Sequence, residues 1–268
     1  MTSGGAAVSV ISEERKRIIV EKIEVKGKVK VADLANEFAV STETIRRYLE
    51  ELDREQKLKK VYGGAVKAAN SPLVEPSMIE RKIWNIEQKK RIAYKAAAFI
   101  RDGDVLMIDE GSTTLQMVPY MLPCKNLTVI TNSFALANQL ISAINKKFFN
   151  GEILFIGGKV SSEHYRVAGP LSQQIMNQLH FEKAFISVDG VLPNFGLSCY
   201  DLENAKLSEK MIQQAGQTFV LADHSKIGVK ATYQITNSKE IDYVLSNERL
   251  PEEWSDRLAK EKVEWVKC

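Results

Sequence analysis

The run Ser41-Thr42-Glu43-Thr44-Ile45-Arg46-Arg47 puts three hydroxyls and two guanidiniums into about two helical turns. Arginine can give two parallel hydrogen bonds to a guanine edge or a phosphate. Ser41, Thr42 and Thr44 can bond phosphate oxygens, and a helix that starts at Ser41 adds its exposed N–H groups. A little downstream, Lys57, Lys59 and Lys60 precede Gly63-Gly64. Lysines on a hairpin can reach a neighbouring DNA backbone. This combination is the chemistry of double-stranded DNA recognition, whereas an arginine pair alone would only mark a solvated helix face.

A second constellation has a different character. In Val105-Leu-Met-Ile-Asp109-Glu110-Gly111-Ser112-Thr113-Thr114 an apolar strand runs into acidic residues, a glycine and three hydroxyls. Gly111 permits close backbone approach, Ser112, Thr113 and Thr114 offer donors, and a following helix would aim N–H groups at an anion. No Gly-Lys-Ser/Thr is present, so this is not a Walker loop. Helix capping alone accounts for such a loop equally well. Further polar strand exits stand at Thr131-Asn132-Ser133, Gly157-Gly158, Asp189-Gly190 and Asp223-His224-Ser225-Lys226. Open α/β sheets bind ligands beyond the carboxyl ends of their strands, so jointly these exits predict one ligand crevice.

Other reactive side chains carry less. His164, His180 and His224 lack metal-ligand spacing, and Cys124, Cys199 and Cys268 form no CxxC, so no metal site and no cofactor is expected. Three scattered cysteines suit a reducing cytoplasm. Charges in residues 82–101 recur at helical spacing and read as a solvated face or, in a regulator, a subunit interface. No apolar run is long enough for a transmembrane helix, so no membrane partner is expected. The net charge is only +3, so a DNA-binding surface must come from local clustering. With 44% hydrophobic and 26% charged residues in 268, the chain has the balance of a globular protein of one or two domains.

The elements that must position these groups follow from periodicity. Residues 1–11 read as a disordered tail. Ser12 caps a helix with Ile18, Ile19 and Ile23 inward, ended by Gly27; a second helix covers 31–38; Ser41 caps a third, whose core face is Ile45, Leu49 and Leu52. A basic hairpin at 57–66 completes a winged helix-turn-helix over residues 12–66. Residues 67–77, with Pro72 and Pro76, read as a linker. Residues 78–268 alternate helices with apolar strands at 105–109, 127–131, 153–156, 184–188, 218–221 and 243–245. Near-continuous apolar strands predict an open parallel α/β sheet covered on both faces.

The stretch Val31-Ala-Asp-Leu-Ala, Val40-Ser41, Thr44-Ile45-Arg46-Arg47, Leu49, Leu52 and Gly63-Gly64-Ala65 resembles the helix-turn-helix of the DeoR family of sugar-operon regulators. The later segments, Asp109 with Gly111-Ser-Thr-Thr, Thr131-Asn-Ser, Gly157-Gly158, Asp189-Gly190 and Leu221-Ala-Asp-His-Ser-Lys226, resemble that family's sensor domain. The resemblance covers nearly the whole chain. It implies a sensor fold like that of ribose-5-phosphate isomerase and a phosphorylated sugar or sugar alcohol as effector, with phosphate in the 111–114 loop. It also implies that Asp109, Asp189, Glu203 and Lys226 face the ligand. Three residues depart from the family pattern: Tyr48 where Asp is usual, Gln56 where Gly is usual, and Glu110 where a small residue is usual. Glu110 would repel a phosphate unless turned away, and Tyr48 would alter the DNA site read or pack on the linker. The expected protein is a repressor that binds a symmetric operator as a dimer or tetramer. The competing reading is an isomerase-like enzyme with an accessory DNA-binding domain, with Asp109 or Asp189 as base.

Overall fold

The computed structural model describes residues 4–26, 28–55, 57–66 and 75–268. They form two units, Met1–Val74 and Glu75–Cys268.

In the first unit, helix α1 spans Gly4–Lys26. It begins earlier than Ser12, through residues that the sequence assigns to a disordered tail. Once a helix is nucleated, each further residue costs only its propagation step, and Ala6 and Ala7 favour it. Gly27, the expected stop, lies outside the described residues. A short strand β1 (Lys28–Lys30) precedes α2 (Val31–Phe38), and Ala39 turns the chain in the left-handed region at φ 51°. Helix α3 (Thr42–Arg54) follows, with β2 (Lys59–Val61) and β3 (Gly64–Val66). The three strands pair antiparallel in the order β1-β3-β2. Gly64 is required here, because an added β-carbon would meet the Val29 carbonyl oxygen at 2.0 Å. Ile19, Ile23, Leu34, Ile45, Leu49, Leu52 and Leu58 form one buried cluster. This is the expected winged helix-turn-helix, with β1 as a strand that alternating lysines concealed.

The second unit opens before residue 78. Glu75 is buried, and Ser77 caps α4 (Met78–Ile83) through a reciprocal capping box with Glu80. The end of the expected linker is thus packed structure, while 67–74 lies outside the described residues. Helix α5 spans Ile86–Ala97. Then come β4 (Val105–Ile108), α6 (Val118–Met121), β5 (Lys125–Thr131), α7 (Phe134–Asn145) and β6 (Asn150–Phe155). A hairpin of β7 (Lys159–Ser161) and β8 (Arg166–Ala168) leads to α8 (Pro170–Met176) and β9 (Phe181–Ser187). After β10 (Gly190–Leu192), β11 (Gly196–Cys199) and α9 (Leu202–Gln214), the chain finishes with β12 (Ala215–Leu221), β13 (Tyr233–Thr236), β14 (Tyr243–Ser246), α10 (Ser255–Glu261) and β15 (Glu264–Lys267).

Seven strands form one parallel sheet in the order β15-β14-β12-β9-β4-β5-β6. Strand residues alternate between two cores. Met107, Ala184, Ile186, Val220 and Val244 join Met176, Leu207 and Met211 from α8 and α9. Leu106, Ile108, Phe185, Phe219 and Leu245 face Ile92, Ala96, Leu136 and Leu140 from α5 and α7. The expected open α/β architecture is therefore the one observed. From β4 the chain adds β5 and β6 on one side, then returns to place β9 on the other. That reversal makes the β4–β9 boundary the topological switch point.

Candidate functional site

Two sets of side chains carry chemistry, one in each unit. In the first, Ser41 Oγ accepts from the Thr44 N–H at 3.2 Å and contacts Thr44 Oγ1 at 2.9 Å, which fixes the start of α3. Thr42, Arg46 and Arg47 are exposed. The Arg46 guanidinium is 3.4 Å from Glu43 and that of Arg47 is 3.9 Å from Glu51. Such exposed pairs are weak, on the order of 0.2–1 kcal/mol, so both arginines are available to an incoming phosphate or base. Lys57 is exposed beside Glu55, whereas Lys60 is drawn onto α3 by Glu50. Lys59 lies on β2, with its side chain outside the described part. The sequence reading missed Tyr62, which stands fully exposed in the β2–β3 turn.

Tyr48 corrects an expectation. It is buried in the domain core, 3% exposed, with its hydroxyl near Ser12 and Arg15, and so is off the exposed face that carries Arg46 and Arg47. Its helical phase explains this: it lies three residues after Ile45, on the same face. Gln56 lies outside the described residues.

In the second unit a small open cleft sits at the switch point. Its walls come from the exit of β4 (Ser112, Thr113), the exit of β9 (Ser187, Val188, Asp189), the exit of β12 (Leu221, Asp223, Ser225, Lys226) and the α4–α5 corner (Arg81, Trp84, Asn85, Lys89). Lys226 Nζ lies 3.3 Å from Asp189 Oδ1. Burial pulls this ammonium down, but Asp189 and Asp223 hold it above the usual lysine value. Asp223 accepts from Ser225 Oγ at 2.6 Å and from Asn85 Nδ2 at 3.1 Å. Lys89 is buried and donates to the Arg81 carbonyl oxygen at 2.6 Å. Burial pushes its ammonium down to about 8, against the opposing pull of Asp223. Three cations, two carboxylates and several hydroxyls thus share one cleft. Cations and hydroxyls suit an anionic group, and carboxylates suit hydroxyls.

The structure divides the sequence-derived candidates. Ser112, Thr113, Asp189 and Lys226 line the cleft. Asp109, Gly111, Thr114, Thr131, Asn132 and Glu203 do not. Asp109 is buried, its Oδ2 accepting from the Ser187 N–H at 2.7 Å and its Oδ1 lacking any hydrogen bond. Burial, and then the neighbouring Glu110, push its carboxyl well above the usual range, which favours the neutral acid. Thr114 donates back to the Asp109 or Gly111 carbonyl, each at 3.1 Å. Asn132 braces the loop, accepting from the Glu110 N–H at 2.9 Å and donating to the Val167 carbonyl at 3.1 Å. Thr131 accepts from the Ser133 N–H at 3.0 Å. Glu203 sits on the first turn of α9, bonded to Gln173 of α8. These residues shape the loop or other contacts because each already has a partner inside the fold. The exits of β5 and β6 likewise stay off the cleft, being on the far side of β4 from β9. After the loop the chain makes a short 3-10 turn, Thr114–Met117, and then α6 of four residues. The helix expected after the loop is thus reduced to these two short segments, while Asn85, the N-cap of α5, lines the cleft.

Sequence reasoning missed Arg81, and it took residues 82–101, with Asn85 and Lys89, for a solvated face or a subunit interface. Lys89 is in fact on the buried face of α5, with Ile92, Ala93 and Ala96. Its place in that apolar stripe, i to i+3 and i+7, was the available signal. Glu110 does turn from the cleft. Its carboxylate accepts from Arg81 Nη2 at 2.5 Å and Arg166 Nη1 at 3.1 Å, which removes the expected repulsion. Among the described residues no cluster of metal-ligating side chains occurs, and no helix is long and apolar enough to cross a membrane.

The profile of the DeoR-like helix-turn-helix domain matches residues 15–70, and that of the DeoR C-terminal sensor domain matches residues 84–248. The chain belongs to the DeoR family. The HTH-type transcriptional regulator FruR of Bacillus subtilis is 37% identical over 82% of this chain and 84% of that protein. The HTH-type transcriptional repressor GlcR of the same organism is 32% identical over 94% and 95%. A putative aga operon transcriptional repressor of Escherichia coli O157:H7 is 29% identical over 98% and 96%. Among solved structures, a D-ribose-5-phosphate isomerase in complex with phospho-erythronic acid superposes at a TM-score of 0.39, with 19% identity over 53% of this chain and 54% of that one. A likeness that loose carries no argument. This DeoR-family chain is a DNA-binding transcriptional regulator with a sensor domain, and the isomerase reading falls with that assignment.

Proposed function

We propose that this DeoR-family regulator represses a carbohydrate-utilisation operon in the cytoplasm and loses operator affinity when a phosphorylated sugar or sugar alcohol enters the cleft. The observation that carries the reading is the convergence, at the β4–β9 switch point, of Ser112, Thr113, Arg81, Lys89 and Lys226 with Asp189 and Asp223. The hydroxyls and cations take the phosphate, and the carboxylates take the polyol. Asp109, Gly111, Thr114, Thr131, Asn132 and Ser133 hold the loop in place behind them. Two relatives that carry the word repressor in their names support the direction of control.

On the DNA side, Ser41, Thr42, Thr44, Arg46 and Arg47 read the operator, and Lys57, Lys59 and Lys60 hold the adjacent backbone. A homodimer or tetramer presents these helices in symmetric pairs, as a pseudo-palindromic operator requires. The effector acts by binding the low-affinity state more tightly than the DNA-bound one.

The test is a thermal-shift screen of the full chain against sugar and sugar-alcohol phosphates, followed by DNA-binding assays with each hit. A specific hit stabilises the folded state by mass action, roughly 2.7 kcal/mol at a hundredfold excess over Kd. It should also lower affinity for a selected duplex, and Thr113→Ala should blunt that response while leaving DNA binding without ligand intact. A hit that leaves DNA affinity unchanged counts against effector control. An intact response in Thr113→Ala overturns the loop assignment.

A further inference from the structure

Beside the cleft lies a buried ion cluster. Arg166, 2% exposed, grips Glu75 with both terminal nitrogens at 2.8 Å and also reaches Glu110 at 3.1 Å. Arg81 Nη2 contacts Glu110 at 2.5 Å and Glu75 at 3.1 Å. Two guanidiniums and two carboxylates balance, with Asp201 3.7 Å from Arg166 and the His164 ring 3.6 Å from Glu75. Arg81 has a second allegiance: it lines the cleft, and its buried Nε has no hydrogen-bond partner.

The two carboxylates occupy telling positions. Glu110 directly precedes the Gly111-Ser112-Thr113 loop. Glu75 is the first residue of the sensor unit, and residues 67–74 connect it to the DNA-reading unit.

We propose that this cluster reports cleft occupancy to the linker: an anion that engages Arg81 frees Glu75 from its buried anchorage. The inference rests on the cleft being an anion site. With Arg81 claimed, two buried carboxylates share Arg166, and an uncompensated buried charge is strongly unfavourable. One carboxylate must leave. Glu110 is held in place, since it is buried two residues past the end of β4 and its N–H is bonded to Asn132. Glu75 sits at the linker end of the unit, and its contact with Arg81 is the longer of the two, so it is the carboxylate free to move. The effector thus acts on the linker's anchor without touching it.

The test uses the full chain with inorganic phosphate, glucose 6-phosphate and glucitol 6-phosphate as probes. It reads ligand affinity by calorimetry, amide exchange of residues 75–80 by mass spectrometry, and affinity for a duplex obtained by in vitro selection. In the parent protein, ligand should speed exchange at 75–80 about threefold or more and weaken DNA binding about fivefold or more, the low end of typical allosteric coupling. In Glu75→Gln the exchange should be fast without ligand, and DNA affinity should no longer respond. Ligand affinity should be unchanged or higher, because Arg81 is then less occupied. Glu75→Asp, which keeps the charge, should retain part of the response and serves if the glutamine variant folds poorly. Ligand binding that leaves exchange at 75–80 unmoved overturns the proposal while sparing the cleft. So does a full DNA response in Glu75→Gln, or loss of its ligand binding. If no probe binds, the anion-site reading fails and this inference fails with it.

Discussion

A β-carbon built on Gly111 would lie 1.9 Å from the Ser187 hydroxyl oxygen. Two strand exits, from β4 and β9, are therefore pressed together at the base of the cleft, and only hydrogen fits between them. Gly111→Ala must push one exit aside. Overpacking of this kind costs about 1–3 kcal/mol. The expected result is a lower thermal midpoint for the sensor unit and at least tenfold weaker ligand binding by calorimetry. Adding Ser187→Gly should restore part of both, as a double-mutant cycle would register. An alanine variant with parent-like stability and binding would show that the two exits are not locked together.

The exposed arginines of α3 give a separate prediction. Arg46→Ala and Arg47→Ala should each weaken DNA binding by about 1–3 kcal/mol, and the double variant should lose specific binding at physiological salt. A phosphate-contacting arginine also lowers the salt dependence by about one unit of slope when removed. Fluorescence anisotropy across a salt series measures both. Circular dichroism should show the fold unchanged, because neither side chain is in the core.

Lys89 makes the cleft sensitive to pH. Its ammonium is held near 8, below the free lysine value of 10.5. Affinity for a phosphate monoester, which is itself largely dianionic by pH 7, should be highest near pH 7 and fall toward tenfold per pH unit above 8. Lys89→Arg should carry that fall to higher pH. The stability effect has the opposite sense. Between about 8 and 10.5 the unfolded chain binds the proton and the folded chain does not, so this group makes stability rise with pH in that window. Thermal melts of the parent and of Lys89→Met should differ in slope there, and parallel slopes would argue against the depressed value.

Tyr48 predicts a loss of stability rather than of specificity. Truncating a buried aromatic costs roughly 3–5 kcal/mol. Tyr48→Ala should therefore unfold or severely loosen the DNA-reading unit. Tyr48→Phe gives up only the hydroxyl's polar surroundings near Ser12 and Arg15, about 1 kcal/mol, and should keep its DNA sequence preference. A changed preference in Tyr48→Phe, read by in vitro selection, would place the ring back on the DNA face.

Much of this protein is legible along the chain because its governing interactions are local. The i, i+4, i+7 spacing of Ile45, Leu49 and Leu52 fixes which face of α3 packs, and Ser41 caps it within the same few residues. Apolar runs such as 105–108 and 218–221 mark strands buried on both faces, hence a parallel sheet. Those patterns determine a winged helix-turn-helix followed by an open α/β domain, and they put Arg46 and Arg47 outside. What spacing could not decide is which polar residues meet. Lys89 and Asp223 are far apart in sequence, as are Glu75 and Arg166, and only the return of β9 and β12 to the far side of β4 brings the cleft walls together. The same folding turned Thr131 and Asn132 from ligand candidates into braces and took Glu203 to another helix pair. Backbone periodicity is set by neighbours a few residues away, whereas a binding site is set by charges and hydroxyls that tertiary packing either satisfies internally or leaves open at a strand end.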